Sequence, residues 1–238
     1  MTKTYTTLAR AHHELYQSIS DYDREFRDLT RILKRTRSRR VLEVGCGSGN
    51  LAPRFLEAGY DYVGLDQSAS FLSIARRSAP EARFVRADMR KFRLAPRFDA
   101  VLITGRTFTH MTTNRDVGDA LRCVRRALQS GGTLVFDNFD AATIFTNKKR
   151  RYVNESEYDG RRYRRVTSNT LLPERGWVWR WRADWTIREA GRVRRIRDVR
   201  ILRAFTPDEI ALHVRLAGLE LVRTTRAGAV LTTIARRS

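Results

Sequence analysis

Residues 40–50 read Arg40-Val41-Leu42-Glu43-Val44-Gly45-Cys46-Gly47-Ser48-Gly49-Asn50. A short β-branched, apolar run empties into a glycine-rich turn, which is the pattern of a strand followed by a helix. Asn50 suits the helix N-cap, Pro53 falls in the first turn where its missing N–H does no harm, and Gly59 suits the C-terminal stop. Tyr62-Val63-Gly64-Leu65 predicts a second strand, and Asp66 stands at its end, 21 positions after Gly45. That interval is close to the ~20 positions between a nucleotide-site glycine turn and the acid that binds a ribose. Glycines let the backbone approach a ligand, and a carboxylate at the next strand tip can accept both ribose hydroxyls.

Two ligands compete for such a turn. A dinucleotide site uses G-x-G-x-x-G, with the pyrophosphate seated on the helix N-terminus. Here the pattern is G-x-G-x-G with an acid, Glu43, inside the preceding strand, and a carboxylate there suits a cationic ligand better than a pyrophosphate. An ordinary βα turn of another parallel-sheet protein is the plain alternative. The segment VLEVGCGSGN resembles the first motif of class I S-adenosylmethionine (SAM) methyltransferases, and LDQS resembles their second. The resemblance implies SAM as cofactor. It gives Glu43, Gly45, Cys46, Gly47 and Gly49 to the methionine end of the site, and Asp66, followed by Gln67, to the ribose.

Working outward, residues 8–34 carry Leu15, Ile19, Phe26, Leu29, Ile32 and Leu33 at helical spacing, with a break near Ser20-Asp21. In methyltransferases of small molecules such a segment often lies across the cofactor, which makes Tyr16 and Tyr22 candidate contacts. Packing is the competing role for both. After Asp66, Ser68 caps a helix that turns Phe71, Leu72 and Ala75 inward. Residues 83–87 predict a third strand with Asp88 and Met89 at its end, the place of the third family motif beside the adenine. Residues 98–103 (FDAVLI) predict the fourth strand, and Thr104 to His110 follow at its tip, where the family places residues near the methyl group. A helix over 114–129, stopped by Gly131-Gly132, leads to a fifth strand at 133–136.

From about Phe145 the period changes to two. Residues 161–172, 177–188 and 192–203 predict strands joined by turns, with Trp177, Trp179, Trp181, Trp185 and Ile187 on one face and Arg180, Arg182 and Asp184 on the other. Thr206-Pro207-Asp208-Glu209 opens a helix, and strands at 219–225 and 229–235 close the chain. The expected fold is therefore α/β, a Rossmann-like seven-stranded methyltransferase sheet with an antiparallel β insert after the fifth strand. Three parts are expected: 1–144 as N-terminal helices and SAM-binding core, 145–205 as the insert, and 206–238 as the last helix and two strands. The insert followed by FTPDEI and AGLELV resembles sugar N,N-dimethyltransferases and glycine N-methyltransferase-like proteins, whose insert covers the acceptor pocket.

The chain has 238 residues and a net charge of +21, and 42 of its 47 basic residues are arginine. A polyanion-binding protein would use such a charge. However, the arginines are dispersed, with no single basic arm, which favours a compositional bias over a nucleic-acid footprint. Cys46 and Cys123 are the only cysteines and suit neither a metal site nor a disulfide framework, which predicts a reducing, cytoplasmic setting. No apolar run is long enough to span a bilayer, and MTKTYTTLARAHHELYQ does not read as a signal peptide.

Methyl transfer from a sulfonium is an in-line displacement in which the protein mainly aligns the reactants. His110 is the candidate catalytic base, its near-neutral titration suiting removal of an amine or hydroxyl proton. A capping or surface histidine is the competing role. Asp137-Asn138 matches part of a metal-dependent O-methyltransferase site, but Thr104-Gly105-Arg106 lacks the further acid, and no metal is expected. Neither the tip motif of base N-methylation nor a catalytic cysteine for cytosine is present. The expected reaction is methyl transfer to nitrogen or oxygen of a small-molecule acceptor. The alternatives are an RNA or protein methyltransferase working through the basic surface, and a SAM-binding module without catalysis. A homodimer through the β insert is a further expectation.

Overall fold

The computed structural model describes residues 3–95 and 97–238, with side chains from residue 7 onward. Met1 and Thr2, at the start of the stretch tested for a signal peptide, lie outside the described residues. Two helices come first, α1 (Lys3–Ile19) and α2 (Tyr22–Arg35). They part at the anticipated break because the Asp21 carboxylate caps α2 by accepting from Arg24 N at 2.8 Å. Then follow β1 (Arg40–Val44), α3 (Ala52–Glu57), β2 (Asp61–Asp66), α4 (Ala69–Ser78), β3 (Arg83–Arg86) and β4 (Phe98–Ile103). After a 3-10 turn over Thr107–His110 come α5 (Asn114–Ala127), β5 (Leu128–Phe139) and α6 (Ala141–Thr146). The insert is β6 (Arg151–Tyr158), β7 (Arg161–Leu172), β8 (Val178–Glu189) and β9 (Arg192–Arg203). The chain ends in α7 (Pro207–Leu216), β10 (Glu220–Ala227) and β11 (Val230–Arg236).

The strands form two sheets. The larger has the order β10-β11-β5-β4-β1-β2-β3, with β1 to β5 parallel and β11 antiparallel to both its neighbours, β5 and β10. The order reverses beside β1, between β4 and β2, so the crevice at its carboxyl end is where an open α/β sheet binds ligands. The smaller sheet, β6-β7-β8-β9, is wholly antiparallel and is inserted after β5. The fold is thus the seven-stranded sheet with β insert anticipated from sequence.

Details differ from the sequence expectation. Asn50 is not the N-cap of α3. Leu51 occupies that position with no side-chain cap, and the Asn50 amide reaches the N-terminal helices instead. Helix α5 stops at Ala127, and β5 already starts at Leu128 and runs through Gly131-Gly132. Those glycines sit inside an irregular strand, where the pairing of β4 with β5 shifts register between Phe98 and Ala100. Strand β6 and helix α6 had no strong period of their own and were not foreseen.

Alternation in β8 follows the expected face. Trp179, Ala183, Trp185 and Ile187 are buried while Arg180, Arg182 and Arg188 are exposed. Trp181 is half-buried, and Trp177, one residue ahead of β8, is exposed. The buried face packs on α1, where Leu8, Ala11 and Leu15 meet Tyr163, Ala183, Trp185 and Ile187. A fully buried large side chain contributes roughly 1.5–3 kcal/mol, so this cluster holds α1 between the two sheets.

Candidate functional site

The crevice begins at the β1 turn. Gly45 and Gly47 have positive φ, 78° and 55°. A Cβ on Gly45 would lie 2.2 Å from the Thr107 methyl carbon, whereas one on Gly47 would meet nothing within 4 Å. The turn is therefore packed on one side and open on the other, as close backbone approach to a ligand requires. Gly49 has another use. A side chain there would strike Ala75, so this glycine lets the turn sit against α4. The Cys46 thiol points into the core beside Gly64 and Phe84, and only its backbone borders the turn.

Carboxylates surround this opening. Asp66 Oδ2 accepts from Gly47 N at 3.0 Å, and Oδ1 accepts from Ser68 N at 2.7 Å. The acid therefore holds the turn, and burial still pushes its pKa up against those hydrogen bonds. Glu43 is buried and accepts from Tyr62 Oη at 2.5 Å. Burial pushes it up to about 8, opposed by the Tyr62 bond and reinforced by Glu25 and Asp66. Asp137, pushed up to about 6 by burial, accepts from Arg106 N at 2.5 Å. Arg106 is in the left-handed region at φ 61°, a strained conformation for a side chain of its size. Asp137 thereby fixes the tip of β4.

Glu25 was missed at the sequence level. Its carboxylate is raised by burial and lowered by a hydrogen bond to Thr104 and by the Arg106 charge. In the sequence it reads only as one more acid on the polar side of α2. Nothing in its spacing distinguishes it from Asp23 or Asp28.

Helix α1 bridges the opening to the insert. On one side His13 Nδ1 lies 2.9 Å from Ser48 Oγ, and Gln17 Nε2 donates to Asn50 Oδ1 at 2.7 Å. Asn50 Nδ2 in turn donates to Tyr22 Oη at 2.7 Å, and burial pushes the Tyr22 phenol up to about 12. On the other side buried Glu14 accepts from Arg161 Nε at 2.9 Å and Nη2 at 3.1 Å, and from Tyr163 Oη. Tyr16 stacks on His12 with ring centroids 4.5 Å apart, so Tyr16 faces the insert and Tyr22 faces the glycine turn.

Not every candidate converges. Asp88 lies at the end of β3, but its carboxylate is gripped by Arg90 Nη2 at 2.7 Å, and Arg90 is tied on to Asp116. Met89 packs half-buried against the core, and Gln67 is exposed with its carbonyl accepting from Arg86. His110 is exposed at the end of the 3-10 turn. Partial desolvation and the Arg200 charge lower its pKa, which keeps the imidazole neutral and able to accept a proton.

Comparison with known proteins agrees with this geometry. Residues 41–132, the span from β1 to β5, match a profile described as a methyltransferase domain. Over 210 residues the chain is 28% identical to dTDP-3-amino-3,4,6-trideoxy-alpha-D-glucopyranose N,N-dimethyltransferase of Streptomyces venezuelae, covering 84% of each. It superimposes on the crystal structure of Streptomyces venezuelae DesVI with a TM-score of 0.82 at 25% identity, over 93% of this chain and 97% of that one.

The chain carries a methyltransferase domain and resembles SAM-dependent methyltransferases along most of its length.

Some other similarities are partial. Identity to glycine/sarcosine N-methyltransferase of Parasynechococcus marenigrum is 36%, but over 46% of this chain and 42% of that enzyme. As a methyltransferase site the crevice is chemically apt. An open Gly47 edge beside buried acids fits a cationic sulfonium, which favours the ionised form over the neutral one that burial imposes on Glu43. SAM, when bound, supplies a methyl group already activated for displacement. The chain's own residues hold the turn (Asp66), fix the β4 tip (Asp137) and lay α1 across the turn.

Proposed function

We propose that this methyltransferase acts on the amine nitrogen of a small amino sugar, which it receives on the side of the crevice that α1 and the insert cover. One observation carries the reading. His12, on α1, stacks on Tyr16 at 4.5 Å and lies 6.0 Å from Trp185 of the insert, and its pKa is lowered to about 3, first by burial and then by the charges of Arg165 and Arg200. The acceptor side of the crevice is thus positive and partly desolvated, which disfavours an ammonium and keeps an amine in its nucleophilic form. The similarity to amino-sugar dimethyltransferases along 84% of the chain, insert included, supports the same acceptor class. In this reading Glu43, Gly45, Cys46, Gly47, Gly49, Asp66 and Thr104 border the cofactor, and His110 takes the proton.

Incubation with SAM and a panel of free and nucleotide-linked amino sugars tests the proposal, read by S-adenosylhomocysteine release and product mass. Methylated amine is expected, and His110→Gln should lower kcat by about 10²–10⁴-fold, the usual range for a general base. Turnover confined to hydroxyl acceptors or to RNA would overturn it.

A further inference from the structure

The two faces of the insert differ in kind. The inner face packs on α1, whereas the outer one is exposed or half-buried from Arg180 and Ile201 at one end to Arg188 and Val193 at the other. Residues 145–205 hold 18 basic and 7 acidic side chains, so they carry +11 of the chain's net +21. Cross-strand register puts eight arginines and three acids on the outer face, a surplus of five positive charges. Its acids are already engaged: Glu157 by Arg162, Glu155 by Arg164, and Asp184 by both Arg182 and Arg197. Among the described residues Arg151, Arg180, Arg188 and Arg195 have no ion-pair partner. Arg188 also stands directly opposite Arg162 in the β7–β8 register, and like charges so placed destabilise a sheet.

Apolar side chains lie among these charges. Val153, Val193 and Val199 are 44%, 46% and 49% exposed. Folding gains nothing from opposed cations or from wet valines, and both suit a surface completed by another molecule. A second copy is a poor occupant, because two such faces repel. Single-stranded nucleic acid is disfavoured too, since no aromatic ring stands at these outward positions for a base to stack on.

We infer that the outer face of the insert is a docking surface for an acidic protein. Its carboxylates would engage Arg151, Arg180, Arg188 and Arg195, and apolar side chains between them would cover the valines. Val193 and Ile201 are both on β9, about 27 Å apart along the strand. An α-helix of about 18 residues has that length, so an acidic amphipathic helix fits the face lengthwise. The face points away from α1, so docking leaves the crevice open and does not depend on the acceptor's identity.

The probe is a fluorescent helical peptide of about 18 residues, with glutamates and leucines on one face. It is titrated into the full chain at about 0.15 M salt and followed by anisotropy. Saturable binding is expected. An exposed ion pair contributes up to about fivefold in affinity. The combined variant Arg151→Gln, Arg180→Gln, Arg188→Gln and Arg195→Gln should therefore bind about tenfold or more weakly. A control with Arg27→Gln, Arg35→Gln, Arg215→Gln and Arg223→Gln has the same net charge and should lose less than about threefold. Val199→Ser leaves every charge in place and should cost about three- to tenfold. Thermal melts check that each variant folds, and Arg188→Gln with Arg195→Gln serves if the fourfold variant does not. No binding, equal losses in the two fourfold variants, or an unaffected Val199→Ser variant overturns the inference. A single-stranded RNA held more tightly than the peptide by the same four arginines would also overturn it, in favour of a nucleic-acid surface.

Discussion

The two walls of the crevice are built from opposite materials. The cofactor wall, on the parallel sheet, is made of a glycine turn and carboxylates: Glu43, Asp66, Asp137 and, from α2, Glu25. The insert wall is aromatic and basic, with Trp185, Tyr16, Arg165 and Arg200 around His12. Under the proposed function each wall matches one reactant of a methyl transfer, a cationic donor on the acidic side and an electron-rich nucleophile on the basic side. Helix α1 separates them and is fastened to both. A buried ionic clamp holds it to the insert, while two neutral hydrogen bonds hold it to the glycine turn.

That asymmetry ranks the expected effects. Glu14→Gln should be the most damaging, because it leaves Arg161, Tyr163 and their surroundings without the buried carboxylate. Removing one partner of a buried pair costs about 3–5 kcal/mol, so denaturant unfolding should show a loss of that order. A change under about 1 kcal/mol would mean the clamp is water-filled and α1 is held by apolar packing alone.

Asp66→Ala acts on the other wall. Calorimetry should record SAM affinity about ten- to hundredfold weaker, since the acid both holds the Gly47 amide and faces the opening. Unchanged affinity would remove Asp66 from the cofactor site and weaken the distinction between the walls.

The acidity of the cofactor wall has a pH signature. Glu43 is raised from 4.5 to about 8, so the neutral form predominates in the free protein at pH 7. A raised folded pKa means its stabilising contribution is complete below about pH 4.5 and is lost as pH rises through about 8. A cationic ligand favours the ionised form, so SAM binding should release protons at pH 7, with affinity rising by at most about tenfold per pH unit towards pH 8. Calorimetry in buffers of different ionisation enthalpy counts those protons, and Glu43→Gln should lower the count. Equal proton release by the variant would assign the effect to Asp137 or Glu25.

The smallest effect is expected at the neutral tether. Gln17→Ala removes one exposed hydrogen bond to Asn50, worth about 0.5–1.5 kcal/mol at most. Hydrogen exchange in α1 should quicken modestly while global stability barely moves. A loss comparable to Glu14→Gln would show that α1 leans on both walls equally.

How much was legible in advance follows from the range of the signals. Local patterns carried the turn at Gly45–Gly49, the acid at Asp66, the break at Ser20-Asp21 and the period-two strands of the insert. Each of these is set by backbone sterics, capping or burial within a few residues of its own position. They sufficed for the seven-stranded fold, the family and its cofactor. Boundaries failed where a long-range partner outweighed local preference. Asn50 is drawn from the cap position to Gln17 and Tyr22, and the glycines after α5 are absorbed into β5 by backbone hydrogen bonds to Arg237, just past β11.

Only the tertiary structure decided what each ionisable side chain faces. Glu25 and Asp23 are indistinguishable acids on one polar helix stripe until α2 turns the first towards Thr104 and the second towards Arg54. Likewise Arg165 is one of 42 arginines in sequence. It becomes singular when β7 pairs with β8 and α1 covers it, leaving it buried with no carboxylate beside it. Desolvation and Coulomb energy depend on distances between groups far apart in the chain. The amino-acid order alone therefore determined the fold and the donor, while packing decided which charges form the two walls.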